Sequence, residues 1–313
     1  MHNYHDIHNM FPQGVVATSL PTGTWGAVTR SYCWRVTLLP FLEQSAIYSA
    51  LDFKTGSFYP GSWMVPTSLN AALIGFVLPA YVCPSNAMEP LSNRVGFVRN
   101  PATGMYNVAG EVKFMNIDYV GIAGAYPDPD PGNPNSTTNF RNDVMVAHSY
   151  GHIANTGMLL LNEASSVATV LDGTSNTLMF AEQSGATEYN GQKLYVSSNY
   201  YSGWPGGTIG VEWNNPRELT VKKLIEIEAA GGTTMSKGSY PNGIVTVRCA
   251  INVKPAPTYS REVYDQGIAI SSGHSGGANG VLGDGSVRFL SDTMNFYNLR
   301  ILCSSNEGGT TSL

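Results

Sequence analysis

Apolar positions at Tyr4, Ile7 and Phe11 recur at helical spacing and Pro12-Gln13-Gly14 ends the run, so residues 1–11 are expected to be helical. A second helix is expected from Pro40, well suited to a first turn, through Phe41, Leu42, Ile47, Tyr48 and Leu51. The third helical stripe is the clearest: over Arg217–Ala230, Leu219, Leu224, Ile225 and Ile227 share a face. Glu218 precedes Lys222 by four residues there, and Gly231-Gly232 terminates the helix. Short β-type runs stand at Val95–Val98, Tyr119–Ile122, Met158–Leu161, Leu178–Ala181, Leu194–Ser198 and Ile244–Val253. In the last, Val245 and Val247 alternate with Thr246 and Arg248. Val281–Phe289 reads as a hairpin turning at Asp284-Gly285, followed by a C-terminal helix near Asn295–Cys303. The sum is an α+β chain with an antiparallel sheet, loop-rich between residues 55 and 140, with an inserted lobe at roughly 185–265 and no internal repeats.

Composition narrows the class. The 313 residues suffice for one sizeable core, while charged residues make up only 12%, about half the usual share, with Gly, Pro, Tyr, Asn, Ser and Thr in their place. That balance fits an extracytoplasmic protein. A net charge of −5 without any Lys/Arg cluster excludes nucleic acid as a main partner, because nothing would displace counterions from phosphates. The longest apolar run, Leu69–Cys83, is broken by Gly75 and Pro79 and falls short of the ~30 Å of a bilayer core, so no membrane span is expected. Nor does a charged segment followed by an apolar one open the chain, so no signal peptide is expected. Cys33, Cys83, Cys249 and Cys303 form no CxxC pair, which argues against a zinc ribbon or thioredoxin-type site and leaves disulfides or buried thiols open.

Three places could carry chemistry. His2, His5, Asp6 and His8 crowd one helix, but a three-residue step drifts about 60° around the axis, so a transition-metal site would need a further ligand from elsewhere. The plainer reading is a polar helix surface. Gly273-His274-Ser275-Gly276-Gly277 fits the G-x-S-x-G nucleophile elbow. No histidine follows His274, so a serine route would use Ser275 with His274 itself or with His148 or His152 from elsewhere in the fold. Oxygen donors for calcium gather at Asp128, Asp130 and Asn133, at Asp172 and Asn176, and at Asp284, although Asp before Gly is also ordinary turn chemistry. Glu43, Glu111, Glu182, Glu188, Glu226 and Glu228 form no evident glycosidase pair. Trp25, Trp34, Trp63, Trp204 and Trp213 could supply a carbohydrate platform or simply pack in the core.

Taken together, several segments resemble one family. Asn3-Tyr4-His5-Asp6 with Phe11-Pro12, then Trp34-Arg35-Val36 and Leu38-Leu39-Pro40-Phe41-Leu42-Glu43-Gln44, are similar to the start of DUF1559 proteins. Cys83-Pro84-Ser85-Asn86, Asp172-Gly173-Thr174-Ser175-Asn176-Thr177 with Glu182, and His274–Asn279 continuing to Asp284–Phe289 are similar to its later blocks. The resemblance implies a single pseudopilin-like domain over 1–313, an N-terminal helix packed on an antiparallel sheet, and residues 1–11 as the tail of a spine helix whose membrane-inserting part lies outside this chain. It further implies secretion-system or pseudopilin subunits as partners, and Ca²⁺ near Asp284 by analogy with major pseudopilins. The family's usual aspartate in Cys-Pro-Ser-Asp is Asn86 here. The leading expectation is therefore a non-enzymatic, calcium-binding surface or secretion-apparatus protein. The rival is a hydrolase of small esters or lactones, using Ser275 or a metal-activated water, and the third is a carbohydrate-binding protein.

Overall fold

The computed structural model describes residues 1–16, 31–54, 58, 70–86, 89–91, 98–99, 106–107, 113–125, 145–148, 151–184, 186–189, 192–195, 204–206, 243–247, 249–253 and 270–306. Among these residues the helices are α1 (His2–His8), α2 (Trp34–Thr37), α3 (Ser45–Ser49) and α4 (Phe296–Leu302). The strands are β1 (Val15–Val16), β2 (Tyr32–Cys33), β3 (Val98–Arg99), β4 (Tyr106–Asn107), β5 (Tyr119–Ala125), β6 (Met145–His148) and β7 (Gly151–Ala154), then β8 (Leu178–Glu182), β9 (Ala186–Tyr189), β10 (Gln192–Tyr195), β11 (Ile244–Val247), β12 (Gly277–Leu282) and β13 (Val287–Ser291). The expected helix at 217–230 and the Asp128–Asn135 loop lie outside the described residues.

Five strands form the central sheet in the order β11-β5-β8-β12-β13. Three of its pairings are antiparallel, as expected, but β11 runs parallel to β5, so the sheet is mixed. A parallel neighbour needs a long crossover and not a hairpin, and β11 returns beside β5 only after the whole β6–β10 excursion. Trp204 is fully buried in the main core and β11 is part of the central sheet, so both belong to the body even though they fall within the 185–265 segment expected to form a lobe.

Period-two alternation gives the sheet two different faces. Val120, Ile122, Ala181, Val245, Val247, Ala278, Leu282 and Leu290 point to one face, where Leu299 and Leu302 of α4 close the core. Among the described residues, the helix that covers this face is thus the C-terminal one. α1 buries none of its residues fully; its Tyr4 ring lies 5.4 Å from Phe41 in an irregular layer over the opposite face. That layer includes Phe11, Trp34, Leu39, Tyr81, Met158, Leu159 and Trp204. Trp34 Nε1 donates to Gly243 O at 2.6 Å, and the fully buried Arg35 donates to Trp204 O and Tyr119 O, which pins α2 onto the start of β5.

The expected helix from Pro40 is two short pieces, a 3-10 turn over Leu39–Leu42 and α3. Glu43 between them takes φ 61°, a left-handed conformation that ends the first piece. Met158–Leu161 is not a regular strand but meets β1 and its own loop through isolated bridges.

Candidate functional site

Cys83 opens a turn in which Asn86 N donates to Cys83 O at 2.9 Å, with Pro84 at the position whose fixed φ favours it. Asp118, directly before β5, ties this turn at both ends: Oδ2 accepts from Cys83 N at 2.6 Å and Oδ1 accepts from Asn86 Nδ2. An aspartate at 86 would set two carboxylates face to face, whereas the amide donates.

Glu182 ends β8 and is buried. Its partner across the sheet is Tyr119 on β5, and its Oε2 accepts from Asn279 N of β12 at 2.7 Å, while Oε1 receives Asn279 Nδ2 at 3.3 Å. The loop before β12 is fastened to the end of β8 by Ser271 N to Glu182 O (3.0 Å), Ser184 N to Ser271 O (2.8 Å) and Ser271 Oγ to Ser184 O (2.9 Å). Ser272 N donates to Asn252 Oδ1 and His274 N to Ser272 Oγ, which sets the imidazole over the sheet.

These three chain segments meet at one point. His274 Nε2 lies 3.6 Å from Cys83 Sγ and 3.3 Å from Glu182 Oε1, and all three donor atoms lie within 4.8 Å of one another. A nucleophile–base–acid relay uses the two imidazole nitrogens for different partners. Here one nitrogen faces both, an arrangement that a shared hydrogen bond or three ligands around one ion would each give. With metal–sulfur, metal–nitrogen and metal–oxygen bonds of about 2.3, 2.0–2.1 and 2.0–2.2 Å, a tetrahedral ion holds its S and N donors about 3.6 Å apart and its N and O donors about 3.4 Å apart. The observed separations match both edges.

Burial and neighbouring carboxylates set the electrostatics around this point. Burial, then the Glu182 and Asp118 carboxylates, push the Cys83 thiol up. Burial, with a smaller contribution from Glu182, raises Asp118 against the lowering effect of its own hydrogen bonds. The Tyr119 hydroxyl is pushed up to about 12 by burial and by Cys83, Glu182 and Asp118. Neighbouring negative charge adds to burial at all three.

The residues singled out from sequence fall in different places. His274 is in the centre, but Ser275 is exposed in a turn that leads straight into β12, without the helix a nucleophile elbow requires. His148 and His152 stand on the β6–β7 hairpin, which packs toward β5 and β11. In α1, His2 and His5 lie 5.9 and 4.8 Å from the Phe11 ring and His8 lies 4.2 Å from Tyr4. With Asp6 they form no three-donor group. Asp172 and Asn176 share a loop, Asn176 Nδ2 donating to Asp172 O. That loop adjoins the Asp284 turn through Asp284 N to Thr174 O (3.0 Å) and Gly283 N to Thr177 O (2.8 Å). Asp284 Oδ1 accepts from both Ser286 N and Ser286 Oγ, and these bonds hold its carboxyl below the usual range. Asp128, Asp130 and Asn133 lie outside the described residues. Trp34 and Trp204 are core residues.

Sequence reasoning about spacing missed Cys83 and Glu182 as donors, because they lie about a hundred residues apart and neither has a ligand neighbour in sequence. The available signal was their membership in recurrent motif blocks. A family model described as "Protein of unknown function (DUF1559)" matches residues 1–296, a span that contains Cys83, Glu182, His274 and Asn279. The comparisons with curated proteins and with solved structures gave no match.

Proposed function

The chain belongs to the DUF1559 family, and from that premise we propose that it is an extracytoplasmic, pseudopilin-like protein whose Cys83–Glu182–His274 centre takes a zinc-type ion and uses it in hydrolysis. The single observation behind the metal assignment is the one imidazole nitrogen facing thiol and carboxylate at ligand-edge distances. A thiol–imidazole–carboxylate set suits Zn²⁺; Ca²⁺ prefers six to eight oxygens. Structural zinc sites use four protein ligands, whereas three leave a position open, and His274 at the mouth has 29% of its side chain exposed. Held by Cys83, Glu182 and His274, such an ion would supply Lewis-acid polarisation of a substrate or water oxygen, which favours hydrolysis of small esters or lactones over a Ser275 route. The α+β body after a short N-terminal helix is compatible with the pseudopilin reading, whose partners would be other pseudopilin or secretion-system subunits.

The test is elemental analysis and chromogenic-ester hydrolysis on protein stripped with chelator and reloaded. Stoichiometric zinc is expected, lost in Cys83→Ser and in His274→Ala, with activity that follows zinc and survives Ser275→Ala. Failure of wild-type protein to take up zinc would sink the assignment. Stoichiometric calcium retained by Cys83→Ser would move the ion to the oxygen-donor loops around Asp172 and Asp284. Zinc without activity would leave a metal-binding surface protein.

A further inference from the structure

The sheet face that carries the centre is covered on one side of it and bare on the other. Over β5 and β8, Trp34 and Tyr81 lie above the strands, with the Trp34 ring 4.5 Å from Phe180. Among the described residues that layer stops before β12 and β13. Asn279 pairs with Phe289 and Val281 with Val287, so these four side chains share a face, and the opposite face holds Ala278, Leu282 and Leu290 in the core. Phe289 is 55% exposed and Val287 64%, unusual for two large apolar residues side by side on a strand. The Phe289 ring lies over Gly277, where an added Cβ would come within 2.9 Å of two ring atoms and 2.1 Å of Leu290 O. Glycine at 277 therefore seats the ring against the sheet.

This bare strip begins at the centre. Asn279 donates to Glu182 and is the register partner of Phe289, so Tyr119, Glu182, Asn279 and Phe289 form a row across four strands. Two inter-strand steps of about 4.8 Å place Phe289 within about 10 Å of Glu182. A protein partner buries about 800 Å² of each surface, far more than three side chains offer, so the strip fits the tail of a small molecule.

We propose that Val281, Val287 and Phe289 form an apolar subsite for a ligand whose polar head occupies the Cys83–Glu182–His274 centre. The ligand class is a small amphiphile with an oxygen-donor head and an unbranched alkyl or aryl tail. The proposal rests on the metal reading, and its test keeps the two apart. Binding of acetohydroxamate and octanohydroxamate, which share a metal-chelating head and differ only in tail, is measured by calorimetry on zinc-loaded protein. Octanohydroxamate is expected to bind about tenfold or more tighter, since each buried methylene adds affinity. Phe289→Ser, and separately Val287→Ser, should shrink that ratio while leaving acetohydroxamate affinity and the melting temperature unchanged. Equal binding of the two in wild type overturns the subsite alone. No binding of acetohydroxamate overturns the metal reading and the subsite with it. Phe289-dependent self-association without tail-length dependence overturns the small-molecule assignment in favour of a second copy.

Discussion

Asn279 bonds Glu182 twice, through its backbone and its amide, and so decides which carboxylate oxygen turns toward His274. Removing the amide by Asn279→Ala keeps the backbone bond and frees Oε1, so zinc affinity is expected to fall about tenfold, at the low end for a group that orients a ligand. Competition with a colorimetric chelator measures it, and unchanged affinity would show that the backbone bond alone orients Glu182. His274 was legible as chemistry-bearing because it sits in a glycine-rich motif, yet the motif drew attention to Ser275, its exposed neighbour. Asp284 has the turn role that Asp-Gly predicts, its carboxylate already accepting twice from Ser286.

Among the elements, the β12–β13 hairpin and the C-terminal helix were readable because both are local: Asp-Gly chemistry closes the first, and Asn295 caps the second by accepting from Tyr297 N at 2.8 Å. What α4 packs against was not readable. Leu302 is fully buried among Val120, Leu178, Val245 and Leu290 of the sheet core, so Leu302→Ala is expected to cost about 2–5 kcal/mol in urea unfolding. A loss under ~1 kcal/mol would mean that α4 covers the sheet only loosely. The parallel β11 escaped sequence reading for a related reason: Val245 and Val247 alternate with Thr246, yet Ile244 and Thr246 are buried as well, and the pattern carries no information on the strand's neighbour or direction.

At the scale of the molecule, buried weak acids tie stability to pH. Burial raises Cys33 and Cys303 above the ordinary thiol value of 9.0, and raises Tyr81 above 10.0. Tyr119 goes up to about 12. A group whose folded value is raised keeps its full contribution below its unfolded value and loses it as pH rises toward the folded one. The melting temperature is therefore expected to hold to about pH 9 and to fall steadily above it, less steeply in Cys303→Ser. A midpoint flat to about pH 11 would contradict the burial of these groups. All four cysteines are thiols, which leaves Cys83 available as a donor.

The sequence by itself determined some local terms: the β12–β13 hairpin, the C-terminal helix, the low charge, and the motif blocks of the DUF1559 resemblance. Those follow from backbone preferences and two- or four-residue periodicities, which act over short stretches of chain. Only the tertiary structure decided that Cys83, Glu182 and His274 meet, because a turn, a strand end and a loop far apart in sequence are brought together by β5–β8–β12 pairing. It also decided which part of that sheet face the Trp34 layer leaves bare, since coverage depends on where another segment stops.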